Sequence, residues 1–221
     1  MIAVSQRPAL LSPAAMLGLK LYALAAMVVD HVDWMLFDGA LGFHATWGRT
    51  VFPIFAVLLA MNLARSDLPG HLLNSVSARM LFFGVLATLP YVVLQGTWLP
   101  LNVMFTLAAA VAVVALVQMH EWLLAFLAAA LCGVLVDYSW FGILAVLVPW
   151  YAFRNGLLPS VAIAAACLLL YPINGNLWAL AALPLIVIAS YVEGDAPRWK
   201  WLFYVAYPAH LVVLALLEDV L

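Results

Sequence analysis

Long apolar runs alternate with short polar breaks along the chain, and their spacing predicts about nine membrane-crossing helices, several of them kinked by proline. Ser12-Pro13 has the form of an N-cap followed by proline at the first helical position, so helix one is expected from there to about Phe37. Asp38-Gly39 and Gly42 mark a loop, and helix two is expected over 47–64 with a kink at Pro53. Residues 65–74, carrying Asp67, Pro69-Gly70 and His71, are the longest polar stretch between spans and precede helix three at 78–95, kinked near Pro90. After an uncharged connection at 96–100 come helix four (101–119), helix five ending at Asp137-Tyr138, helix six (140–153) and helix seven (157–170). Helix eight is expected to end near Val192, and helix nine (199–217) carries Pro208 and His210.

Composition turns this pattern into a class. Of 221 residues, 69% are hydrophobic and only 8% charged, with a mean hydropathy of +1.16. Soluble domains carry about 25% charged residues. The expectation is an all-α, polytopic integral membrane protein in which residues 1–221 form one domain. A net charge of -2 offers no basic surface and excludes a nucleic-acid partner. Cys132 and Cys167 lie in apolar runs without acidic or histidine neighbours and read as packed small hydrophobes. Lys20 interrupts the apolar stretch that a signal peptide would need, so the first helix is expected to be a retained span.

Basic residues are retained on the cytoplasmic side of membranes. With nine alternating spans and a cytoplasmic N-terminus, Arg7, Lys20, Arg65, Arg79, Arg154, Arg198 and Lys200 all fall on that face, and Arg49 alone does not. The same arrangement carries Asp30-His31, about 16 Å of helix beyond Lys20, to the outer half of helix one. Arg49, Asn102, Thr106, Asp137, Tyr138, Asn174, Asn176 and His210 reach the outer side too. Charges and imidazoles are costly in lipid, so their convergence on one side reads as a site.

Several short segments carry a resemblance. Leu19 to His31 (LKLYALAAMVVDH), Gly48-Arg49 with Pro53-Ile54-Phe55, Asn102 with Phe105-Thr106-Leu107, Asp137-Tyr138 with Gly142, and Tyr204 with Tyr207-Pro208-Ala209-His210-Leu211 together resemble the TraX family, in order over most of the chain. The resemblance implies an inner-membrane acetyltransferase, after the family's F-pilin acetylase, taking acetyl from acetyl-CoA to an amine or hydroxyl acceptor. A pilin-like protein, a surface or exported glycan and a small amine are all admissible acceptors.

That chemistry needs a base, positive charge for a developing oxyanion, and a dry site. His31 is the candidate base. Adjacent helical residues point about 100° apart, so Asp137 on another helix is the expected orienter of His31, leaving Asp30 to pair with Arg49 or Lys20. His210 is a further candidate in catalysis; Arg49, Asn102, Thr106, Tyr138 and Lys20 are candidates for binding substrate or donor. His44, His71 and the His120-Glu121 turn are expected to be solvated. Neither a HxxEH-type metal motif nor a glycine-rich phosphate loop is present, so no metal is expected and a coenzyme A site would be built from separated residues such as Arg49, Arg65, Arg79 or Arg154. Two rival classes share the same residues: a small proton-coupled transporter using Asp30, His31, Asp137 and His210 as a relay, and an assembly factor that docks pilin subunits. No internal repeat of the kind that builds transporters is visible.

Overall fold

The computed structural model describes residues 11–67, 69–197 and 199–218. Arg7 and Arg198, two of the cations used above for orientation, lie outside them, as does the side chain of Lys200.

The described residues form nine helices. They are α1 (Pro13–Phe37), α2 (Val51–Ala64, entered through a 3-10 turn at Trp47–Thr50), α3 (Pro69–Gln95), α4 (Val103–Gln118), α5 (Trp122–Leu135), α6 (Ser139–Asn155), α7 (Pro159–Asn174), α8 (Trp178–Ala189) and α9 (Lys200–Glu218). No strand occurs among these residues beyond a single bridge between Leu101 and Val136. Four helical stretches, Pro13–Phe37, Trp47–Ala64, Pro69–Gln95 and Trp201–Glu218, are long and apolar enough to cross a membrane. Four others, α4, α5, α7 and α8, are apolar but shorter. The fold is therefore all-helical and membrane-type, with four span-length helices where nine full spans were expected.

Local sequence accounts for much of this. The Ser12 hydroxyl caps α1 by accepting from Ala15 N at 3.0 Å, with Pro13 at the first position. Pro53 falls in the first turn of α2, where no i−4 carbonyl awaits its missing N–H, instead of mid-helix as expected. Pro90, Pro149 and Pro208 lie well inside α3, α6 and α9. The expected polar break at 65–74 is shorter than anticipated. Helix α3 begins at Pro69 and passes through a π-helical turn at Leu72–Ser77 before Arg79, a geometry frequent at functional sites.

Helix α2 is the axis. Eleven of its 14 residues are buried, and α1, α6, α7, α8 and α4 pack against it. Small core residues, including Ala56, Ala60, Ala110, Ala115, Ala145 and Ala166, are fully buried and let backbones approach closely. Large apolar side chains point outward instead: Leu123 and Phe126 of α5 are each 70% exposed. In water such a surface would aggregate, whereas lipid covers it at no cost. Helix α9 packs on α3 and α1. Between the α3/α9 pair and the axial α2 lies a cavity of about 970 Å³, reaching from Lys20 and Arg65 at one end to Asp30, His44 and Asp137 at the other.

Candidate functional site

The site grows from two adjacent residues of α1 that face different ways. Asp30 turns toward the Trp47–Thr50 turn; a Cβ on Gly48 would lie 1.8 Å from Asp30 Oδ1, so only glycine admits the carboxylate there. His31 turns toward α9, where its Nδ1 lies 2.6 Å from His210 Nε2.

One turn beyond Asp30, the fully buried Asp33 folds the following loop back over the helix. Its two carboxylate oxygens accept from Leu41 N at 2.8 Å and His44 N at 2.7 Å. Left-handed backbone at Asp38, Gly39 and Gly42 makes the return tight. His44 is thereby brought onto Asp30, with Nδ1 2.9 Å from Oδ1, and its ring stacks on Trp34 at 4.9 Å between centroids. An Arg49 nitrogen lies 3.1 Å from His44 Nε2.

Hydrogen-bond arithmetic now fixes both imidazoles. Arginine can only donate, so His44 Nε2 accepts and His44 Nδ1–H donates to Asp30. The result is an aspartate and an arginine joined through a neutral ring. At the second ring, His210 Nδ1 lies 3.0 Å from the Ala206 carbonyl, an acceptor. A neutral His210 therefore donates there and accepts at Nε2, which makes His31 Nδ1 the donor of the short bond. His31 Nε2 is left with its lone pair free, 3.9 Å from Asp30 Oδ2. That separation is too long for a hydrogen bond and short enough for the carboxylate to stabilise an imidazolium once Nε2 takes a proton.

Arg49, Asp137 and Tyr138 line the same end of the cavity. The guanidinium lies within electrostatic reach of Tyr138 and Asp137 and keeps a buried Nε with no partner. Asp137 and Tyr138 are held by the crossing between α5 and α6. Leu101 N donates to Leu135 O at 2.7 Å, Asp137 N donates to Leu101 O at 2.8 Å, and the Thr106 hydroxyl donates to Asp137 O at 2.5 Å. Tyr138 takes a left-handed backbone, with its ring stacked on Phe52 at 4.1 Å.

Several expected roles change. His210, not Asp137, holds the second nitrogen of His31, because α9 and not the α5–α6 crossing runs beside that face of α1. Asp30 meets Arg49 through His44 instead of directly. Asn102 does not line the cavity: its side chain caps α4 through Met104 N at 3.2 Å and donates to Gly84 O at 2.9 Å. Thr106 also spends its hydroxyl on backbone and stays off the cavity wall. Lys20 lines the cavity at its other end, with Nζ 5.5 Å from the Phe203 ring centroid. His44 and His71, expected to be solvated, both line the cavity.

His44 and Asp33 are the positions of this site that the sequence reading did not single out. Their one signal was an aspartate a turn after Asp30 and a histidine in the short glycine-containing loop between two candidate segments. Among the described residues no group of His, Cys, Asp and Glu could hold a metal ion. A free imidazole nitrogen, a carboxylate behind it, an arginine with an unspent donor and a phenol in one partly apolar cavity can do acid–base chemistry and stabilise a developing negative charge.

No solved structure matches the chain. A relative described as Protein TraX of Escherichia coli is 28% identical over 215 residues, covering 90% of this chain and 85% of its own. The family model for the TraX protein matches residues 16–218, and on that match, which takes in every residue of the site, the chain belongs to the TraX family.

Proposed function

We propose that this protein is a membrane-embedded acetyltransferase that moves an acetyl group from acetyl-CoA to an amine or hydroxyl acceptor. The observation that carries the reading is the free Nε2 of His31, held in one tautomer by His210 and backed by Asp30 at the wall of a large cavity. His31 Nε2 takes the acceptor's proton as its nitrogen or oxygen attacks the thioester carbonyl carbon. The oxyanion that forms is stabilised by Arg49, whose Nε has no other partner. On collapse the carbon–sulfur bond breaks, and the proton on His31 passes to the departing thiolate. Coenzyme A and the acetylated acceptor leave.

Family membership favours a pilin-like N-terminal amine as acceptor; a glycan or a small amine fits the same chemistry. The cations of the Lys20 end support an inner-membrane placement with the N-terminus in the cytoplasm, so that donor enters from the cytosol. Purified protein incubated with radiolabelled acetyl-CoA and an amine acceptor tests the reading. Transfer is expected in the wild type and is lost in a folded His31→Ala variant; full activity in that variant overturns the assignment.

The His31–His210 pair also favours one rival, a proton-coupled transporter that uses it as a relay. Proton-driven uptake into liposomes, with neither labelling nor hydrolysis of acetyl-CoA, selects that rival.

A further inference from the structure

The cavity is much longer than the chemistry at His31 requires. Its volume of about 970 Å³ lies at the top of the range for small-molecule sites, roughly 300–1,000 Å³, and its far end is lined by Lys20, Arg65 and Arg79. Lys20 and Arg79 converge from α1 and α3 on neighbouring residues of α9. Lys20 Nζ stands 5.5 Å from the Phe203 ring centroid and the Arg79 guanidinium 5.8 Å from that of Tyr204. Arg65 enters from the C-terminus of α2.

Among the described residues these cations lack counter-charges: none of the three pairs with a carboxylate. Asp67, the acidic group in the lining at that end, is bound to Arg154 at 2.9 Å. Arg79 Nε is buried without any hydrogen-bond partner. Like charges gathered in a cavity of reduced dielectric repel one another, and a buried donor left unpaired is costly. Both penalties vanish when an anion with several acceptor oxygens occupies the space. A phosphate ester has that chemistry, and arginine and lysine are its usual protein partners.

From these observations we infer that the Lys20–Arg65–Arg79 end of the cavity is a phosphate-binding subsite that takes the phosphate groups of the acyl donor and aims its acyl end at His31. The inference rests on the transferase reading for the identity of its ligand. Lys20 and His31 are eleven residues apart on α1, about 16 Å along the axis at 1.5 Å per residue. The subsite therefore suits a donor whose phosphates and reactive group are separated by a long arm, and not inorganic phosphate or a short acyl phosphate.

The test is binding of coenzyme A, measured by isothermal titration calorimetry on detergent-purified protein, with inorganic pyrophosphate as competitor. Lys20→Gln and Arg79→Gln are each expected to weaken coenzyme A binding about tenfold, increasingly so as ionic strength falls. Arg79→Lys retains most of the affinity, which separates loss of charge from misfolding. Unchanged affinity in both glutamine variants overturns the subsite. A lipid phosphate is the other source of the same chemistry. Loss of coenzyme A binding in phosphatidylglycerol nanodiscs but not in phosphatidylcholine ones, with no competition by pyrophosphate, assigns the cations to a lipid headgroup and overturns the inference. Coenzyme A bound through Lys20 and Arg79 by a protein that transfers no acetyl group leaves the subsite standing and removes the transferase reading. Acetyl transfer with an unchanged KM for acetyl-CoA in both variants does the reverse.

Discussion

His31 Nδ1 and His210 Nε2 are 2.6 Å apart, and because His210 Nδ1 is committed to the Ala206 carbonyl, this single contact decides which nitrogen of His31 is free to act. Two residues separated by 179 positions thus behave as one unit, as the second ligand of an imidazole often does in enzyme sites. His210→Ala is expected to lower kcat for acetyl transfer about 10- to 100-fold with little change in KM. His210→Gln, whose carbonyl oxygen can still accept from His31, recovers part of the loss. A KM defect without a kcat defect would place His210 in substrate binding instead.

Arg49 supplies positive charge at the same end of the cavity as His31, linked to Asp30 through His44. Its buried, unpartnered Nε is a donor that nothing in the resting protein uses. Arg49→Gln is expected to reduce kcat about a hundredfold. Arg49→Lys recovers less than half of that in free-energy terms, because an ammonium reproduces the charge but not the fork of donors. Steady-state kinetics on both variants decide this.

Gly48 is where sterics and chemistry meet. An alanine there would drive its Cβ into the Asp30 carboxylate at 1.8 Å, and the turn or the aspartate must move. Gly48→Ala is expected to lower both the melting temperature and the transfer rate. Gly18→Ala on the same α1–α2 pair meets nothing within 4 Å and is expected to leave the rate unchanged while slightly raising stability. Thermal scanning alongside the transfer assay reads out both.

Asn102 was expected near the substrate and is instead a cap and a strut. Asn102→Ala is expected to cost about 2 kcal/mol of stability and to leave the KM values for donor and acceptor unchanged. A raised acceptor KM in a protein of unaltered melting temperature would return Asn102 to the binding site.

Asp33 holds the loop that delivers His44. With Asp33→Ala, the amides of Leu41 and His44 lose their acceptor, and residues 38–46 are expected to become sensitive to limited proteolysis in a protein whose helices persist. Activity falls together with His44→Ala, and the double variant is no worse than either single one, since both act through the same ring.

The sequence by itself determined the class, the helical order and the ends of most helices. Length of apolar run, N-caps such as Ser12-Pro13 and stop signals such as Gly96 and Gly156 act over a few residues, so they are readable in one dimension. It also identified Asp30, His31, Arg49, Asp137, Tyr138 and His210 as worth explaining, because lipid makes any ionisable group conspicuous. What it could not supply was direction. Whether Asp30 faces Gly48 or Lys20, whether His31 meets Asp137 or His210, and whether Asn102 looks into the cavity or back at Gly84 depend on how each helix is rotated about its axis and which neighbour lies alongside. Those choices come from the packing of α1, α3 and α9 around α2, a sum of weak contacts between residues far apart in the chain. The return of His44 onto Asp30 is decided the same way, by two backbone hydrogen bonds to Asp33 that no local pattern encodes.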